Sequence, residues 1–263
     1  MLAALLVTSA CVFGWRGEAA IDGAHDLRGV QTVHIELPST PLSVVTCDPE
    51  VLQGCPEQLR WRGRVLATGG SEADAKKHAE QPALVFERDG ELAQLRADIP
   101  LVVRGLVELE LEAIELPSDR DLELVTDRGD VEVLGSRAAI SVRTEIGDVT
   151  IDGGDAGVAV LVDDGEVEIA SRGDVDVHVD RGAVTVVQLG DPRRVDITTG
   201  NGGVRIELAS AADLDLDVKA QGQIQVRTDA IVALAEGRLQ RRTGTGAISI
   251  YVDAGGPVDI VQR

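Results

Sequence analysis

Asp213, Asp215 and Asp217 alternate along one stretch and Lys219 continues the alternation. On an extended chain, residues two apart share a face. A row of carboxylates can contribute oxygens to Ca²⁺, which takes six to eight of them. Clustered carboxylates beside a cation can also move protons on a sugar chain lying in a groove. Asp174, Asp176 and Asp180 form a second acidic group upstream. Neither group has the spacing of a calcium-binding loop, so a solvated acidic face is the default. Asp213, Asp215 and Asp217 stay as the candidate cation face.

Other reactive side chains are few. His25, His34, His78 and His178 are scattered, and His178 falls on a polar face between Val177 and Val179. No nucleophile elbow, zinc-protease helix, P-loop or dinucleotide fingerprint occurs. Gly200, Gly202 and Gly203 lack the helix that a phosphate cradle needs. Cys47 and Cys55 are close in sequence, with no histidine at ligand spacing. In an exported chain such a pair reads as a disulfide rather than a zinc site. The start, M-L-A-A-L-L-V-T-S-A-C, sets a short apolar run and small residues before Cys11. It resembles a bacterial lipobox, which implies an acyl group on Cys11; no Lys or Arg precedes the run, and an ordinary export signal is the alternative.

The elements that would position these groups repeat. Gly129, Gly147, Gly165, Gly182, Gly202 and Gly222 recur at intervals of roughly 17–20 residues, in the range of solenoid repeats. Each glycine is flanked by alternating aliphatics, as in Ile140–Ile151 (I-S-V-R-T-E-I-G-D-V-T-I) and Val158–Ile169. Alternation means strand, so each unit is two short strands joined at a glycine turn. Gly246 is read as the next corner, followed by Ile248, Ile250 and Val252. Asp127, Asp130, Asp148, Asp163, Asp164 and Asn201 flank the corners, where Asp and Asn bond local backbone.

No single unit can bury its apolar side, so the units must stack and share a core. The fold expected is all-β: a single-chain β-solenoid, β-helix or β-roll, of coils of roughly 18–20 residues. The rival is an antiparallel sandwich of hairpins, to which Asp164–Gly165 and Asn201–Gly202 point.

The chain divides into an export signal with lipobox at 1–11, a tether at 12–30, a β-rich module at 31–104 that caps the stack, and the solenoid at 105–263. Within the module, Ser71 and Asp74 mark a short helix over Glu72–Glu80, and Asp89-Gly90 marks a hairpin. Residues Asp229–Gly237 read as an insertion with a helical turn.

Composition limits partners. The formal charge is −20, and 2% of residues are aromatic. Nucleic acid is excluded for want of a basic stripe or stacking platform. Contact with a membrane is expected only through a lipid anchor, since no other segment is apolar enough to span one.

The G-D-V units at Gly129–Val131, Gly147–Val149 and Gly173–Val175, with G-E-V at Gly165–Val167 and G-A-I at Gly246–Ile248, resemble the bacterial putative-adhesin family of unknown function, the toast-rack-like β-repeat proteins. The resemblance covers about 121–261. It implies a β-solenoid at the cell envelope, adhesive or scaffolding, and supplies no catalytic residues. The expectation is therefore a non-catalytic lipoprotein of the bacterial outer membrane or cell surface, without a cofactor, that binds an unidentified surface ligand or envelope protein. The alternatives are a polysaccharide lyase-like enzyme, by analogy of fold alone, and an envelope spacer.

Overall fold

The computed structural model describes residues 14–47, 55–190, 192–209 and 213–263. The export signal and Cys11 lie outside the described residues.

Eight elements precede the repeats: β1 (Trp15–Asp26), β2 (Thr32–Glu36), β3 (Leu42–Cys47), β4 (Gln58–Gly69), α1 (Glu72–Ala79), β5 (Ala83–Asp89), β6 (Leu92–Asp98) and β7 (Val107–Pro117). The repeats supply five strand pairs. These are β8 (Asp121–Arg128) with β9 (Val131–Ser136), β10 (Ile140–Ile146) with β11 (Val149–Gly153), and β12 (Val158–Asp164) with β13 (Val167–Ser171). They continue with β14 (Val175–Arg181) and β15 (Val184–Gln188), then β16 (Arg194–Asn201) and β17 (Val204–Leu208). The chain ends with β18 (Leu214–Arg227), β19 (Val232–Arg242), β20 (Ile248–Ala254) and β21 (Val258–Gln262).

The repeats form a solenoid. Each strand pairs in parallel with its counterpart one coil away, so Val142 lies between Leu124 and Val160. In the second sheet Ile151 lies between Val133 and Ile169. The sandwich of hairpins is thereby excluded for the repeats: Asp164–Gly165 and Asn201–Gly202 are coil corners. Alternate residues of both sheets point inward and are buried, as the pattern of aliphatics requires. Burying each is worth ~1.5–3 kcal/mol, so a coil with four or five of them depends on its neighbours for the other half of their contacts.

The corners explain the glycines. A Cβ on Gly147 would lie 2.2 Å from the carbonyl oxygen of Gly129, one on Gly165 2.0 Å from that of Gly147, and one on Gly182 1.8 Å from that of Gly165. Gly202 would meet Gly182 in the same way, at 1.7 Å. Backbone lies directly on backbone here, and a side chain has no place to go. The acids beside the corners bond across coils rather than within a turn. Asp130 Oδ1 accepts the Asp148 amide at 3.0 Å, and Asp148 Oδ1 accepts that of Glu166 at 2.7 Å.

The order of coils departs from chain order at both ends. At the end of the repeats, β20 and β21 insert between β16–β17 and β18. The reason is the hairpin: β19 runs antiparallel along β18 and takes its outer edge, leaving only the inner edge for β20. Two expectations change. Residues Asp229–Gly237 belong to this hairpin and are not a helical turn. Gly246 is off the glycine column, in the turn before β20, with φ +70. The corner on the column is Gly255-Gly256, which packs on Gly200 and Gly202, and Gly222 packs outside it against Gly256 and Pro257.

At the other end, β2 and β3 are themselves a coil, pairing in parallel with β8 and β9. Outside them lie β6 and the end of β7. The module expected at 31–104 therefore does not stop short of the stack; part of it is stack. The tether expected at 12–30 is also corrected, because Trp15–Asp26 is β1, antiparallel to β4 along its whole length. Alternation of Gly17, Ala19, Ile21, Gly23 and His25 toward the protein was the overlooked signal. Strands β1, β4 and β7 make a ribbon, and α1 packs on β1 and β4. The helix starts as expected, with Ser71 Oγ accepting the Asp74 amide at 3.1 Å.

Cys47 and Cys55 form a disulfide, with Cα atoms 5.7 Å apart. It ties the end of β3 to the approach to β4.

Gly147→Ala should cost on the order of 2–4 kcal/mol, because both left-handed backbone and overpacking act there (φ +150). Gly165→Ala carries only the packing part and should cost about 1–3 kcal/mol. Denaturant titration of both variants checks the order. Replacing Cys47 and Cys55 together by Ser should cost about 2–3 kcal/mol, the loop-closure value for so short a ring, read the same way.

Candidate binding face

The outer face of the first sheet, formed by β2, β8, β10, β12, β14, β16, β20 and β18, carries the polar alternates of the repeats. One outward file runs His34, Glu123, Ser141, Ala159, Asp176 and Asp196 in direct register. The file is charged at both ends and small in the middle. Ser141 and Ala159 are the floor of a trough of about 430 Å³. Glu123 bounds one end, with His34 Nδ1 at 3.2 Å from its carboxylate. Asp176 and Arg194 bound the other, and Arg194 is ion-paired with Asp196. The guanidinium of Arg194 is held still more firmly protonated by that carboxylate. In the next file Leu161 stands partly exposed between Arg143 and His178.

An apolar floor between acidic ends suits an extended chain segment laid across the coils, with cationic groups at Glu123 and Asp176. The trough has no aromatic platform for a sugar ring. The sequence did hold a signal for it. In V-A-V-L-V the outward alternates, Ala159 and Leu161, are apolar where every other repeat is mostly polar or charged.

The expected chemical groups are placed as follows. Asp213 accepts the Thr245 amide at 2.6 Å and its hydroxyl at 3.1 Å. Asp217 receives two bonds from Arg238, at 3.0 and 2.8 Å, and one from Gln240 at 3.0 Å. Asp215 lies between them on β18, opposite Ser249 and Arg242. Asp213 and Asp217 thus already direct their oxygens to Thr245, Arg238 and Gln240. Among the described residues no three His, Cys, Asp or Glu side chains are grouped to hold a metal. Asp174 accepts the amides of Arg193 and Arg194, at 2.7 and 3.0 Å, and so shapes the loop into β16. Asp180 pairs with His178 at 3.2 Å.

Lys219 Nζ is 3.3 Å from the Tyr251 hydroxyl and 3.4 Å from Asp253. These neighbours, Tyr251 first, hold its ammonium above the usual lysine range. Arg238 holds Asp217 below the usual carboxylate range. Both groups keep their charge at neutral pH, the opposite of what proton transfer asks of a base or acid.

His25, expected in a tether, is stacked between two rings instead. Trp61 lies 5.2 Å and Phe86 4.2 Å away between centroids. His78 Nδ1 is 2.8 Å from the Thr68 carbonyl and joins α1 to β4.

No family model matches the chain, and no curated protein matches it in sequence. Two solved structures are similar to it in fold. One is a putative cell adhesion protein from Clostridium sporogenes, at 13% identity and TM-score 0.38, covering 94% of this chain and all (100%) of that one. The other is a putative adhesin from Bacteroides fragilis, at 11% identity and TM-score 0.45, covering 93% of this chain and 97% of that one. At these scores the likeness says nothing about a ligand.

Asp217→Asn at neutral pH should loosen β19, at a cost under about 1 kcal/mol for so exposed a pair. Amide exchange should quicken over Val232–Arg242, while Asp215→Asn leaves it unchanged. The folded Asp217 titrates below its unfolded value, so its contribution is complete above the ordinary Asp range of about 3.9 and fades only as pH falls beneath it. Exchange at pH 6 and pH 3 on the parent and the variant checks the sign.

Proposed function

We propose that this chain is a lipid-anchored β-solenoid of the bacterial cell envelope that binds or organises a surface partner without catalysis. Three features support the reading. The lipobox-like start places Cys11 for acylation. In the acidic row, Asp217 is ion-paired with Arg238 and Lys219 with Asp253, which argues against the lyase-like alternative. The remaining broad surface is a rigid, regularly spaced parallel sheet whose outward side chains are free to vary.

The observation that carries the reading is the trough over Ser141 and Ala159. It interrupts an otherwise mostly polar or charged face at the middle of the stack, where neighbouring coils hold the backbone on both sides. The net charge of −20 favours a partner with basic side chains, drawn by long-range attraction and seated by the apolar floor. No cofactor is needed for such binding.

Arrays of cell-wall material, glycans and envelope proteins would find the partner. Ala159→Arg fills the trough with a long cation and should weaken capture by about tenfold or more, the worth of one lost hot-spot contact, with an unchanged circular dichroism spectrum. Capture indifferent to Ala159→Arg, or silence on every array, would refute the trough as the binding site.

A further inference from the structure

The ribbon of β1, β4 and β7 leaves the stack. Strand β7 meets β3 only through Ile114–Pro117, and Val107 lies seven residues away, about 24 Å along an extended strand. At that remote tip Trp15 pairs with Gly69, and the Thr68 amide donates to the Leu106 carbonyl at 2.9 Å. Trp15 and Leu106 are therefore two strand spacings apart, about 10 Å, on opposite faces of the ribbon's end. Between β6 and β7 the chain turns through Leu101 and Val102, held by Val103, which is buried. Trp15 is 55% exposed, Leu101 and Val102 80% each, and Leu106 40%. Among the described residues, no other part combines an exposed tryptophan with three exposed aliphatics near arginines, here Arg16 and Arg104.

The start of β1 turns this patch into a statement about orientation. Only Val12, Phe13 and Gly14 separate Cys11 from Trp15. Four residue steps reach at most about 14 Å, so a lipid on Cys11 holds Trp15 within that distance of the bilayer. A tether of the expected length would have left the tip free; a strand beginning at Trp15 does not. Tryptophan prefers the headgroup layer, where its ring is apolar and its N–H is wet, and arginines beside it reach phosphates.

We propose that the tip of the β1–β4–β7 ribbon is seated in the headgroup layer of the bilayer, through Trp15, Leu101, Val102 and Leu106. The solenoid then stands off the membrane on the ribbon. The proposal rests on the reading of Cys11 as the anchor, and the test separates the two.

Cys11 is the one cysteine outside the disulfide, so the full chain can be coupled there to a maleimide phospholipid, whether or not the cell acylates it. The coupled protein is bound to phosphatidylcholine vesicles with plain or brominated acyl chains. The chain has two tryptophans, and Trp61 is buried, so the difference between parent and Trp15→Phe isolates the Trp15 emission. Brominated lipid should lower that emission by about twofold or more if the ring lies in the interface. Leu101→Asp with Val102→Asp should leave the protein on the vesicles and abolish the quenching. Equal Trp15 emission in both lipids, with the protein still floating with the vesicles, overturns the proposal. So does protection of Trp15 from iodide in vesicle-free solution, which would mean that a second copy covers the tip. Mass spectrometry of Cys11 from envelope preparations tests the anchor by itself: an unmodified thiol there removes the anchor and leaves the vesicle result to stand on its own.

Discussion

The structure depends on backbone lying directly on backbone at the coil corners. Parallel strands stacked at about 4.8 Å carry the corner of one coil onto the carbonyl of the coil beneath, and Gly129, Gly147, Gly165, Gly182 and Gly202 leave nothing between them. The in-register sheets follow from that column. With the corners fixed, Val142 can only face Leu124 and Val160, and the apolar faces meet level by level. The carboxylates of Asp130 and Asp148 then hold the amides of the next corner, so one strict geometry satisfies packing and hydrogen bonding together.

A stack of this kind has to be stopped, because each end offers an open strand edge and an apolar face. Here both ends use one solution. The outermost coil is not the first or last in sequence, and it carries an antiparallel partner on its outer side: β5 on β6 at one end, β19 on β18 at the other. Strand β21 thus lies between β17 and β18 and cannot fray without opening the end. The outer strand β19 bears Arg238, Arg241 and Arg242, charges that discourage a further chain from pairing there, with Arg238 fastened to Asp217 beneath.

The solenoid was legible because its constraint is periodic. Steps of two placed the aliphatics, and the recurring glycines placed the corners. Gly246 was misplaced for a physical reason. It precedes Ile248, Ile250 and Val252 at the spacing of a second-sheet strand, whereas those residues are a first-sheet strand with its corner at Gly256. Local spacing does not tell which sheet a strand joins, nor that a hairpin has already taken the outer edge of β18. The ribbon strand β1 was lost because small and polar residues fill its alternation, and Gly17, Gly23 and His25 look like linker until α1 and Trp61 are seen against them. The acidic files were visible as rows; their ion pairs were not, because Arg238 comes from a strand whose position depends on the hairpin.

Function in such a fold is carried by departures from the repeat. The inward positions answer to the core and the corners to the column, so neither can vary much. Outward positions answer to solvent, and a charged residue satisfies them. Ala159 and Leu161 do not follow that rule at the centre of the sheet, and neither do Trp15, Leu101 and Val102 at the tip of the ribbon. None of these side chains completes a core, a cap or an ion pair, and each exposes apolar surface that folding alone gives no reason to keep. These departures fall on two separate surfaces, one on the face of the stack and one at the tip of the ribbon, and on the proposed reading the first holds a partner while the second meets the bilayer.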